Sequence, residues 1–102
     1  MKDGIDPKLT RQIRASKVKN GADRPVHAAF TVAEASKGNF LSPEATDKVV
    51  KAAISRAAKK TEQKPGKVVV FKNLQSFSIE APASLVESLA ADEAIDTGTL
   101  GS

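Results

Sequence analysis

Polar and apolar residues alternate through Pro25-Val26-His27-Ala28-Ala29-Phe30-Thr31-Val32-Ala33, which places Val26, Ala28, Phe30 and Val32 on one face of a strand. After a loop expected over 36–39, the period changes. Val50, Ala53, Ile54, Ala57, Ala58 and Thr61 follow helical spacing, while Lys48, Lys51, Ser55, Lys59 and Glu62 fall elsewhere on the wheel. Ser42-Pro43-Glu44 supplies the start of that helix: an N-cap, a proline at the first helical position and an acid in the first turn. Lys59 and Lys60 suit its negative end, and Pro65-Gly66 stops it. Residues 67–72 predict a second strand and 73–76 a turn. Phe77 and Ile79 then alternate with Ser76, Ser78 and Glu80 as a half-exposed third strand. Pro82 opens a second helix with Leu85, Val86, Leu89 and Ala90 inward, and 95–100 predicts a fourth, weaker strand.

The order strand, helix, strand, strand, helix, strand is the split βαβ arrangement. It predicts an α+β, ferredoxin-like βαββαβ fold, a four-stranded antiparallel sheet with two helices on one face and the other face free. Residues 25–102 form this domain. Residues 1–24 read as an N-terminal appendage with a possible short helix, because Asp6-Pro7 is a start signal and Leu9 and Ile13 lie four apart. Asn20-Gly21 marks a turn within it.

A chain of 102 residues supports one domain and one modest core. With 40% hydrophobic residues but no Trp or Tyr, its stability is expected on the low side of about 5–15 kcal/mol. The absence of Cys excludes disulfides and thiolate metal sites. No apolar run approaches the ~18 residues of a membrane span, and charges near the N-terminus without an apolar segment behind them do not make a signal peptide. The net charge of +4 divides unevenly, as +4 over residues 1–24, +5 over 25–72 and −5 over 73–102. A basic body with an acidic end weakens a nucleic-acid reading, which calls for a uniformly basic surface.

Candidate chemistry is sparse. His27 is the only histidine and has no partner constellation in the sequence. There is no G-x-S-x-G, no metal-ligand spacing and no phosphate-binding glycine loop, so neither an enzyme nor a cofactor is expected. The acids Glu80, Glu87, Asp92, Glu93 and Asp96 read as solvated helix and turn residues. An RNA-recognition domain shares this element order, but residues 76–80 lack the basic-glycine-aromatic pattern that stacks bases. A dimerising module with the same free face is a further alternative.

The stretch from Phe77 to Ile95 resembles the second half of subtilisin propeptides and related stand-alone protease inhibitors. The resemblance rests on Phe77 opening a strand after a turn, Pro82 starting a short helix, and Leu89-Ala90-Ala91-Asp92 leading into a last strand at Ile95. It extends over about residues 25–100. It implies an inhibitor or intramolecular chaperone of a subtilisin-like serine protease, secreted or periplasmic if it meets such an enzyme. The sheet face would pack on the protease, and the C-terminal tail would lie in the active-site cleft as a product does, backbone against backbone. The protease-binding residues so implied are Ile95, Asp96, Thr97, Gly98, Thr99 and Leu100. Glu80 would substitute for an acid that residues 72–75 lack. Two tail registers stay open: Leu100 in the first pocket with Thr97 in the fourth, or Gly98 with Ile95. On this reading, removal of residues 97–102 abolishes inhibition and leaves most of the fold. No protease domain follows, so the chain reads as a free inhibitor or as a prodomain apart from its enzyme.

Overall fold

A computed structural model describes residues 4–17, 23–33 and 42–101. The loop expected over 36–39 and the turn at Asn20-Gly21 lie outside the described residues. The elements are α1 (Pro7–Ser16), β1 (Pro25–Val32), α2 (Pro43–Thr61), β2 (Val68–Phe71), a 3-10 turn (Lys72–Leu74), β3 (Ser76–Pro82), α3 (Ala83–Ala90) and β4 (Ile95–Leu100). The four strands form one antiparallel sheet in the order β2-β3-β1-β4. The fold is therefore α+β, and among the described residues a four-stranded antiparallel sheet carries three helices rather than the two expected.

Alternation along the strands decides what the sheet buries. Val26, Ala28, Phe30 and Val32 of β1 and Phe77, Ile79 and Ala81 of β3 point into one core. Their alternates stay half-buried or exposed. Phe30 sits opposite Phe77 in the β1–β3 register, and their rings meet at a centroid distance of 5.5 Å in a tilted arrangement, a favoured aromatic geometry. On its other side, Phe30 faces Gly98 of β4. A side chain at Gly98 would have no room, since an added Cβ lies 2.7 Å from the Phe30 ring.

The helices cover that same core. α3 lies between α1 and α2 and touches β1, β3 and β4. Ser42 caps α2 by accepting from the Ala45 amide at 3.2 Å, with Pro43 at the first position, as its sequence predicts. α2 ends earlier than Pro65-Gly66, at Glu62, which takes a left-handed conformation (φ 56°) and donates its amide to the Ala58 carbonyl. Its buried stripe is Thr46, Val50, Ala53, Ile54 and Ala57, with Ala58 and Thr61 half-buried at the margin. α3 begins at Ala83 and has no cap from its own N-terminal residue. Instead Asp23 accepts from both the amide (3.0 Å) and the hydroxyl of Ser84. A carboxylate there satisfies an orphan donor and opposes the positive end of the helix.

The first turns of the chain are not an appendage. Asp6 caps α1 through the Lys8 amide at 2.9 Å, and Leu9 and Ile13 are fully buried in the common core, joined by Ile5. Ile5, Leu9 and Ile13 lie four residues apart, so one face of this short segment is largely apolar, with Ser16 buried at its end. That face covers β1, β4 and α3. Lys17 ties the end of α1 to Glu87 of α3 at 2.6 Å. Leu9→Ala is accordingly expected to cost about 2–5 kcal/mol, read as a lowered urea midpoint at unchanged slope; a midpoint equal to the parent's would place α1 outside the core.

Candidate protein-binding surfaces

The site expected from the sequence is the segment 95–100, and the structure commits it to β4. Its main chain pairs with β1 in the register Ala28–Leu100, Ala29–Thr99, Phe30–Gly98 and Thr31–Thr97, with a shift at Val32, which meets Ile95. The outer edge of β4 is engaged as well. The Gly98 carbonyl accepts from the Asp6 amide at 2.8 Å, and the Gly98 amide donates to the Gly4 carbonyl at 3.1 Å. Beyond the strand, the Gly101 amide donates to the His27 carbonyl at 2.7 Å.

The six tail residues therefore separate by position. Ile95 is buried in the core and Gly98 is sealed between Phe30 and Ile5. Asp96 is half-buried, and its carbonyl lies close against Gly4. Thr97 and Thr99 share the open face of the sheet with Thr31 and Ala29, their partners in β1. Leu100 is 41% exposed and lies opposite Ala28. Neither Leu100 with Thr97 nor Gly98 with Ile95 can enter a cleft while β4 is formed. The presentation of 95–100 as an extended free tail is thus corrected. The cause is long-range pairing, which gives those backbone groups partners inside the molecule.

Glu80 lies apart from the tail, on β3 directly opposite His27. Its main chain bonds to Gly66 and Lys67 at 2.8 Å each. An added Cβ at Gly66 would lie 2.5 Å from the Glu80 carbonyl oxygen, so only glycine permits this approach. His27, Lys67, Val69, Ser78 and Glu80 line a shallow depression of ≈ 310 Å³ on the open face. Among the described residues, no three His, Cys, Asp or Glu side chains converge as metal ligands.

Among the described residues, no element covers the open face of the sheet. Along the two central strands it presents His27, Ala29 and Thr31 of β1 and Ser76, Ser78 and Glu80 of β3. At its margin β2 adds Val69 and Phe71, which are 39% and 43% exposed. Small side chains make this face flat. Among the described residues, Phe71 is the one phenylalanine on this face, and it lies on the edge strand. Among the described residues, no helix is long and apolar enough to cross a membrane.

Asp92 explains the Leu89-Ala90-Ala91-Asp92 segment in physical terms. Its carboxylate accepts from the Ala94 amide at 2.9 Å, turning the chain from α3 into β4. It also takes a two-pronged contact from Arg56 of α2, at 2.9 and 3.0 Å. This hydrogen bond raises the Arg56 guanidinium above its ordinary value, burial opposing it weakly. Sequence reading missed three structural devices: Ile5 as part of the core, Asp23 as the cap of α3, and the clamp on Gly98. Only the first had a local signal, the four-residue spacing from Ile5 through Leu9 to Ile13.

Comparisons with family models, with characterised proteins and with solved structures find no match to this chain.

Proposed function

We propose that the chain is a protein-binding module of the inhibitor or intramolecular-chaperone type, which lays its open sheet face on a subtilisin-like serine protease. One observation carries the binding mode: among the described residues, the face formed by Ala29, Thr31, Ser76, Ser78, Thr97 and Thr99 has no helix over it, while α1, α2 and α3 pack on the opposite side. A surface of this kind can supply the roughly 800 Å² per partner of an ordinary stable interface. The choice of partner rests on the resemblance of residues 77–95 to subtilisin propeptides. The βαββαβ order from β1 onward supports a ferredoxin-like assignment, to which α1 is an addition. Binding is led by the face, since the backbone of residues 95–100 is engaged within the sheet.

The test is a titration of a panel of subtilisin-like proteases with micromolar wild-type chain and with Ser78→Arg. Ser78 is a half-buried residue in the middle of the face. Wild type is expected to slow turnover of at least one member. The arginine variant should lose about tenfold or more of that potency, as a charge misplaced at an interface centre does, with an unchanged unfolding midpoint. If no protease is slowed, the partner is wrong; if Ser78→Arg inhibits as well as wild type, the surface is wrong.

A further inference from the structure

β2 is the outermost strand on one side of the sheet and, among the described residues, pairs only with β3. The phase of its ladder follows from Lys67, whose carbonyl accepts from the Glu80 amide at 2.8 Å. Main-chain bonds alternate sides along an antiparallel pair. Val69 and Phe71, opposite Ser78 and Ser76, therefore direct their main chain toward β3. The N–H and C=O groups of Val68 and Val70 point outward. The side chains of these same two valines turn toward the helix layer. There, with Val50, Ile54, Ala58 and Pro65, they line a groove of ≈ 380 Å³ between β2 and α2.

Among the described residues, an unpaired ladder and an apolar groove thus arise from the same residues. Strand addition needs both, the ladder for affinity and pockets for alternate side chains for specificity. A covering helix or loop normally protects such an edge, but α2 leaves this groove open. Charge then selects the occupant. Lys51 lines the groove. Lys64 and Lys67 are exposed where the chain enters β2, and Lys59 and Lys60 end α2. Asp47 and Lys51 pair with each other at 2.8 Å and offset one another, and the exposed acids nearby are Glu62 at the end of α2 and Glu80 beside Lys67, fewer than the remaining lysines. A second copy docking edge to edge would set two lysine-rich margins against each other, and like charges across a strand pair are destabilising. An acidic strand meets opposite charge.

The geometry points to an acidic, extended segment of a partner protein that adds to the sheet beside β2 and seats alternate aliphatic side chains in the groove between β2 and α2. This edge is distinct from the open face, so the inference is independent of the protease reading. The experiment uses the full chain, isotopically labelled for amide spectroscopy, and a short synthetic peptide with valines at alternate positions and aspartates at both ends. At saturating peptide, hydrogen exchange of the Val68 and Val70 amides is expected to slow by at least about tenfold, with signals moving at Val50, Ile54 and Ala58 and those of Ala29 and Thr31 unchanged. A lysine-ended version of the peptide should bind about tenfold more weakly, and the variant Lys64→Glu should weaken binding of the acidic peptide in the same direction. Unchanged exchange at the two valines, responses confined to the open face, or equal affinity for the lysine-ended peptide overturns the proposal. So does protection that rises with protein concentration in the absence of peptide, which would make a second copy the occupant.

Discussion

Deleting residues 97–102 is expected to abolish cooperative folding, not merely binding. The deletion removes most of β4, turns β1 into an edge strand and uncovers the Phe30 ring above Gly98. It also leaves the Asp6 amide and the Gly4 carbonyl without their partners at Gly98. Ile95, fully buried at the start of the strand, loses the pairing that holds it there. Each unsatisfied buried polar group costs about 1–3 kcal/mol, and a total stability of about 5–15 kcal/mol does not survive several such losses together with lost apolar burial. Circular dichroism against urea is the measurement. A cooperative transition within a few tenths of a molar of the parent's midpoint would show that β4 is dispensable and would restore the free-tail picture of residues 95–100.

Phe77→Ala is expected to cost about 3–5 kcal/mol. Phe77 has no solvent exposure, meets Phe30 ring to ring, and faces Val70 on its other side through the β2–β3 register. Truncation removes apolar burial and leaves a cavity that the sheet backbone cannot close, because three strands meet at that row. Equilibrium denaturation gives the value directly. A loss below about 0.5 kcal/mol is the signature of a surface residue. It would return Phe77 to the open face and reopen base stacking.

The two results bear on what the sequence could and could not convey. Period-two alternation at 26–32 and at 77–79 identified both central strands and the side each buries, because strand geometry translates directly into spacing. Ser42-Pro43 placed the start of α2 because capping chemistry is local. The bounds of β4, 95–100, were equally legible. The occupation of its two edges was not. Asp-Thr-Gly-Thr carries no apolar stripe, and Gly98 reads as looseness when its neighbours are known only along the chain. In the fold that glycine marks close approach, with Phe30 below it and Ile5 beside it. The N-terminal segment was misjudged for the same reason. Asp6-Pro7 announces a helix, but nothing near it in sequence says that β4 and α3 are its partners. Asp23 shows the limit most clearly, since an acid in a polar stretch gives no sign that it caps a helix starting at Ala83. The open face was foreseen from topology. The groove beside β2 was not, since it depends on how far α2 lies from the sheet edge.

The bridge between Ile5 and Gly98 joins the first described residues to the last strand. During synthesis on the ribosome, α1 emerges well before α3 and β4, and has to wait for both before they exist to receive it. Until then its apolar side is exposed, and such surface in an incomplete chain invites aggregation. Closing so long a loop also costs entropy before any contact repays it, which slows folding. The docking of α1 is therefore expected to be a late step in folding.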